Sequence, residues 1–208
     1  MRKTFPLWRI SRLRMATDGQ GVTALVCAQG CPLDCKLCIN PDSKPFLQSA
    51  DCVTPKELYD KVKQDGLYYT ATGGGVTFGG GEPLLHTAFI SEFRKIIPSE
   101  WRIYAESSLF IPEKNVIEAA EAVSHFFIDI KDTNPQIYRA YTGQDNEKVL
   151  DNLRILINAA GAEKITVRVP LIPNHNTNED RKKTEELLRS YGIINFDFFN
   201  YKIPRPKK

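Results

Sequence analysis

Gly30-Cys31-Pro32-Leu33-Asp34-Cys35-Lys36-Leu37-Cys38 places three thiols within eight residues, in the spacing C-x3-C-x2-C. Thiolates are the usual protein ligands of iron–sulfur clusters. Three of them can hold three irons of a cubane. The fourth iron then has no cysteine beside it and is open to a small molecule. A cluster with one open iron is a reaction site, whereas a fully ligated one mainly carries electrons. The rival reading is zinc, which in structural sites takes four Cys or His ligands; Cys27, four residues upstream, would be the fourth. Residues 22–28, Val-Thr-Ala-Leu-Val-Cys-Ala, read as a buried strand. Strand backbone would hold Cys27 away from a metal wrapped by the loop, so spacing and context favour the cluster.

Outward from the thiols, short apolar runs alternate with helical patterns. Strands are expected at 22–28, 75–78, 102–106, 125–131, 164–172 and 195–201, and helices at 55–64, 87–97, 113–122, 147–160 and 179–191. Thr54-Pro55 has the form of an N-cap followed by Pro at the first helical position. Asn178-Glu179-Asp180 supplies a cap and negative charge at another helix start, and Gly161 and Gly192 stand where helix C-caps belong. Such alternation implies parallel strands joined by right-handed crossovers. The expected fold is α/β: a partial (β/α)6 barrel, open and TIM-like, with residues 1–208 forming one domain. The last strand falls close to the end of the sequence, so the outer layer is expected to lack a final helix.

In these architectures chemistry gathers at the C-terminal ends of the strands. The cysteine loop follows the first strand, Gly79-Gly80-Gly81-Glu82 the second, Glu106 ends the third, Asp129 and Lys131 the fourth, and Arg168 lies late in the fifth. Every suspicious polar group therefore falls on one rim. The period of two along 125–131 turns Phe126, Ile128 and Ile130 to the helix layer and Phe127, Asp129 and Lys131 into the barrel. Charges placed there must be paired or must meet a charged ligand; a purely structural Asp129–Lys131 pair is the plainer alternative. The run Thr72-Gly73-Gly74-Gly75-Val76-Thr77-Phe78-Gly79-Gly80-Gly81-Glu82-Pro83 holds two glycine triplets. They permit close backbone approach and offer bare N–H and C=O groups to a ligand's amino and carboxylate ends. A phosphate loop is disfavoured, because no Gly-Lys-Ser/Thr follows.

Composition bounds the rest. A chain of 208 residues can bury a sizeable core. Its 42% hydrophobic and 25% charged residues are ordinary for a globular protein. A net charge of +3 argues for no nucleic acid partner, and the basic end Arg205-Pro206-Lys207-Lys208 reads as a solvated terminus. The first nine residues lack the apolar core of a signal peptide, and no apolar run is long enough for a membrane span. Five cysteines, three of them clustered, speak against a disulfide framework and for a reducing, cytoplasmic and anaerobic setting. Cys52 reads as a spectator in a loop, and His86, His125 and His175 as structural or solvated, with His86 opening a helix.

The C-x3-C-x2-C triad resembles that of radical S-adenosylmethionine (SAM) enzymes. Together with several other segments it is similar to the glycyl-radical-enzyme activating enzymes, the pyruvate formate-lyase activase kind, over residues 9–202. Those segments are Arg9-Ile10, Asp18-Gly19-Gln20-Gly21-Val22, Gln29-Gly30-Cys31, Gly73-Gly74-Gly75-Val76-Thr77 with Gly80-Gly81-Glu82, Asp129-Ile130-Lys131, and Val167-Arg168-Val169-Pro170-Leu171-Ile172-Pro173. The resemblance implies a 4Fe–4S cluster on Cys31, Cys35 and Cys38, with SAM chelating the open iron. It implies that Gly81, in a binding set with Gly80 and Glu82, meets the SAM amino group, that Lys131 pairs with the carboxylate, that Asp129 holds the ribose end and that Arg168 adds positive charge. Leu37, Cys38 and Ile39 would touch the adenine side. Glu106-Ser107 falls where the family carries an acid and a hydroxyl near a bound cation; here the acid is Glu.

The implied activity is reductive cleavage of SAM and removal of hydrogen from a backbone glycine of a partner glycyl radical enzyme. The electron would come from a low-potential donor such as flavodoxin or ferredoxin. A radical SAM enzyme acting on a small molecule or peptide, and a non-catalytic iron–sulfur or zinc protein, are the alternatives. The chain departs from the family in Leu37, where an aromatic residue is usual. It departs again in Phe199-Asn200-Tyr201-Lys202, where a His near adenosine is usual. No cysteine-rich insert follows Ile39, so a second cluster is not expected.

Overall fold

The computed structural model describes residues 3–47 and 50–201; Lys202 and the basic end at 205–208 lie outside the described residues. Among the described residues eight strands form one open sheet: β1 (Phe5–Met15), β2 (Val22–Ala28), β3 (Cys52–Val53), β4 (Gly75–Gly80), β5 (Arg102–Ser107), β6 (His125–Asp129), β7 (Ile165–Leu171) and β8 (Asn195–Asn200). Their order across the sheet is β3-β1-β2-β4-β5-β6-β7-β8. From β2 to β8 every pairing is parallel, which gives the six expected barrel strands. The helices that return the chain are α1 (Pro55–Val62), α2 (Gly66–Thr72), α3 (Thr87–Ile96), α4 (Glu113–Ala122), α5 (Pro135–Thr142), α6 (Glu147–Ala160) and α7 (Asn178–Ser190).

Two strands and two helices go beyond the sequence reading. β1 and β3 add an antiparallel flap at the leading edge. The alternation in β1 is broken by register shifts between Leu7 and Arg9 and between Ser11 and Arg14. Such bulges twist an edge strand and hide its period of two. α2 is a continuation of α1 through a 3-10 turn at Lys63–Asp65. α5 is short, with Asn134 accepting hydrogen bonds from the amides of Gln136 and Ile137 and Pro135 at its first position; the cap and the proline are its signals in the sequence. The expected strand 125–131 stops at Asp129, which leaves Lys131 in the loop beyond it. The cap of α7 is Thr177 rather than Asn178, in a capping box with Asp180.

The core lies between the outer face of the sheet and the helices. Val76, Phe78, Ile103, Ala105, Phe126, Ile128, Ile130, Val167 and Val169 are buried there with Ile90, Phe93, Val116 and Leu153. Phe78 packs edge-on against Phe5 and Phe93, at centroid separations of 5.5 and 5.6 Å. Each such ring stabilises the fold by roughly 1.5–3 kcal/mol through burial alone. The helix-facing half of the pattern at 125–131 holds: Phe126, Ile128 and Ile130 are all inaccessible. With the apolar half committed to the helix layer, the polar half of each strand is turned to the concave side. The outer face of β8 is covered by guanidinium groups of α7, with Arg189 over Phe196 and Arg181 over Phe198. No helix among the described residues is long and apolar enough to cross a membrane.

Candidate functional site

The cysteine loop leaves β2 and is clamped from two sides. Gly30 and Cys31 donate their amides to the carbonyls of Ser43 and Lys44, at 2.7 and 2.9 Å. Asp34 and Lys36 donate theirs to Thr142 and Tyr141, at 2.9 and 3.2 Å, which satisfies two carbonyls at the otherwise bare end of α5. The buried Gln29 side chain adds bonds to Asp42 and Pro45. The loop is thus fixed by main-chain bonds, so its three thiols need no regular secondary structure to hold their places.

Cys31, Cys35 and Cys38 line a cleft of about 530 Å³ together with Gly80, Gly81, Glu82, Glu106, Asp129, Lys131 and Arg168. All five cysteines are free. Burial pushes the Cys31 thiol up to about 12 and the Cys35 thiol up to about 11, so in the absence of a metal both are protonated. Cys27 is 1% exposed within β2, and it is absent from the cleft wall; as expected, it stands apart from the other three. Cys52 lies exposed in β3 rather than in a loop. Among the described residues no three His, Cys, Asp or Glu side chains are grouped as on a single metal ion. A cubane asks less of the chain, because each thiolate binds a different iron. Three free thiols lining a roomy cleft fit that donor set.

The same cleft carries a set of charged side chains. Lys131 Nζ lies 3.2 Å from Asp129 Oδ1 and donates to Tyr201 Oη at 3.1 Å. Burial works against its charge, but Asp129, Tyr201 and Cys35 outweigh burial and hold the ammonium well above the ordinary lysine range. Arg168 Nη1 donates to Glu106 Oε1 at 2.7 Å, and Arg168 Nε is 3.7 Å from Asp197. Its guanidinium also covers the ring of Phe127 at 4.8 Å. Burial raises the Glu106 carboxyl, while Arg168 pulls it back. The pairing of β6 with β7 sets Asp129 directly beside Arg168, so Glu106, Asp129 and Arg168 stand on the three neighbouring strands β5, β6 and β7, with Lys131 in the loop after β6.

Replacing Arg168 by Met is expected to destabilise the fold by about 3 kcal/mol, the low end for breaking a buried pair, because both partners keep 15–20% exposure. The loss should depend on pH. Without Arg168 the folded-state pKa of Glu106 moves further above its unfolded value near 4.3. The deficit is therefore small below about pH 4 and grows as pH rises through the folded value. Urea unfolding of both proteins at acid and neutral pH measures it.

The glycine strand end has two functions. A side chain on Gly81 would stand 2.3 Å from the Gly30 carbonyl, so only glycine lets β4 meet the cysteine loop. The Gly81 amide is committed to Ala28 at 3.0 Å, which leaves its carbonyl as the group it can offer to a ligand ammonium. Glu82 also lines the cleft, with its carboxylate held by neighbouring groups. It is 1% exposed and its oxygens accept from Ser107 Oγ, Ser108 N and Ser108 Oγ at 2.7–2.9 Å. These bonds tie β4 to β5 and occupy the carboxylate.

Ile39 lies at the cleft mouth and is 82% exposed, while Leu37 is outside the lining. Residues that the sequence reading did not assign also face the cleft: Arg14, Asp18, Ser108, Asp197 and Tyr201. Asp18 is nearly inaccessible and paired with Arg14, and its carbonyl accepts from Thr77 Oγ1. Tyr201 sits just past β8. A second hollow, of about 380 Å³ and lined by Gln20, Arg102, Tyr104, Ser124, His125 and Phe127, contains neither a thiol nor a carboxylate.

The geometry has independent support. Residues 25–188 match the family model described as the radical SAM superfamily. An isethionate sulfite-lyase activating enzyme of Desulfovibrio desulfuricans is 27% identical, with the match covering 88% of this chain and 79% of that protein. A pyruvate formate-lyase-activating enzyme of Listeria monocytogenes is 29% identical over 83% of this chain and 72% of its own length. The solved structure of native anSMEcpe with bound AdoMet superposes with a TM-score of 0.65 at 17% identity, over 86% of this chain and 51% of that one. This chain therefore spans about half of that structure, and the likeness speaks to the fold. On the family model, these relatives and the open sheet with its thiol-lined rim, the chain belongs to the radical SAM superfamily, whose cofactors are a 4Fe–4S cluster on three cysteines and SAM.

Proposed function

We propose that this chain is an activating enzyme for a glycyl radical enzyme, with Cys31, Cys35 and Cys38 as the cluster ligands. The observation that carries the reading is the convergence of three free thiols and the Asp129–Lys131 pair on one open cleft. When bound, the cluster and SAM supply an electron and a carbon radical able to remove hydrogen from an unactivated C–H bond. The protein's task is to position and to shield. Lys131 offers a buried ammonium to the SAM carboxylate, and the Gly81 carbonyl accepts from its amino group. Asp129 and the Arg168–Glu106 pair fix the polar side of the cleft, and Ile39 borders the mouth on the adenine side. The opening of the sheet leaves room for a loop of another protein beside the thiols.

Both matched relatives are named as activating enzymes, one for isethionate sulfite-lyase and one for pyruvate formate-lyase, which supports a glycyl radical enzyme as the partner here. Residues 1–208 work as one domain, fed by a low-potential donor of the flavodoxin or ferredoxin class. A reducing, anaerobic cytoplasm suits five free thiols. The test combines the reduced protein, SAM and candidate glycyl radical enzymes under anaerobic conditions and records electron paramagnetic resonance (EPR) spectra. A glycyl doublet on one candidate supports the reading. Formation of 5′-deoxyadenosine with a small molecule or peptide substrate, and no doublet on any partner, would favour the small-molecule alternative.

A further inference from the structure

Tyr138 lies in α5, within one turn of the carbonyls that clamp the cysteine loop. Its side chain is fully buried, and its hydroxyl has no hydrogen-bond partner among the described residues. Leaving a hydroxyl buried and unpaired costs about 1–3 kcal/mol, a cost that phenylalanine would not carry. Cys35, Lys131, Glu82 and Cys31 are among the groups that act electrostatically on the phenol. Glu82 is already occupied by Ser107 and Ser108. Lys131 is a donor only, and it is engaged by Asp129 and Tyr201. The phenol therefore finds no hydrogen-bond partner among the described residues, on a helix whose last carbonyls are bonded to the loop that carries the cluster ligands.

We propose that the Tyr138 hydroxyl donates a hydrogen bond to a sulfur of the cluster held by Cys31, Cys35 and Cys38, and that this bond raises the cluster's reduction potential. The inference rests on the cluster assignment above. Thiolate and sulfide sulfurs of a cluster carry negative charge, and reduction adds more. A hydrogen bond to them strengthens on reduction, which is how bonds to sulfur set cluster potentials. No electron or proton is transferred by Tyr138; it acts through the cluster as a positioning residue.

The test compares anaerobically reconstituted wild type with Tyr138→Phe. Iron and sulfide are assayed first, then the potential is titrated by EPR, and exchangeable protons near the reduced cluster are recorded by electron–nuclear double resonance. The expected result is equal cluster content and a tenfold loss of reduced over oxidised cluster at a given potential, equivalent to about 59 mV for one electron. One exchangeable proton coupling should also disappear. Should Tyr138→Phe fail to load, a fluorotyrosine incorporated at position 138 keeps the shape and donates more strongly, and it should move the potential upward. Unchanged potential and unchanged couplings in loaded variants would overturn the inference and leave the hydroxyl to a buried water. Wild type without iron and sulfide would be a different failure, one of the cluster assignment itself and of this inference with it.

Discussion

Replacing Cys35 by Ala is expected to remove the iron–sulfur absorbance and to reduce 5′-deoxyadenosine production to the uncatalysed background, a loss on the order of 10⁶-fold or more. The loop around it is held by backbone bonds to Ser43, Lys44, Tyr141 and Thr142, and none of these involves the thiol. The fold should therefore survive, with a change in stability within about 1 kcal/mol of wild type. Two thiolates cannot hold a cubane in which each ligand binds its own iron, and Cys27 is too deeply set in β2 to substitute. Cys27→Ala is the matched control and should retain both cluster and turnover. Nucleoside production that persists in Cys35→Ala would contradict the ligand assignment.

The second large effect is expected at Lys131. Replacing it by Met should weaken SAM binding about 10²-fold, or about 3 kcal/mol, within the range for truncating one partner of a buried charge pair, while cluster content is unchanged. The ammonium is almost inaccessible and has one carboxylate, Asp129, at 3.2 Å. A second carboxylate, that of SAM, is what a strongly held buried ammonium can accept in addition. Lys131→Arg should not rescue binding, since the guanidinium is larger and planar and would collide with the Tyr201 side of the pocket. Isothermal titration of the reconstituted proteins with SAM measures the effect. Equal affinity in wild type and Lys131→Met would reduce the Asp129–Lys131 pair to a structural one.

Much of the fold and of the site is legible in the amino-acid sequence, because two periodicities carry it. Buried parallel strands announce themselves as apolar runs, and the rim follows from their C-terminal ends. That logic brings Gly81, Glu106, Asp129, Lys131 and Arg168 to one place with the thiols, and they meet there in the cleft. What escapes the sequence depends on pairing rather than pattern. β1 hides behind its bulges. Glu82 reads as a ligand contact because it follows the glycines, yet its bonds to Ser107 and Ser108 come from another strand and the turn beyond it. Arg168 reads as positive charge near SAM, and its pairing with Glu106, far away in sequence, is not legible there. Tyr138 gives no signal at all: a tyrosine on a short helix is ordinary until its hydroxyl is found buried without a partner.

The central claim, three cysteines holding a cluster whose open iron meets SAM, is tested most directly by EPR of the anaerobically purified, reduced protein before and after SAM is added. Iron and inorganic sulfide are expected in equal amounts, with a cluster spectrum that changes on addition of SAM. A colourless protein without sulfide, or a cluster spectrum indifferent to SAM, would contradict it.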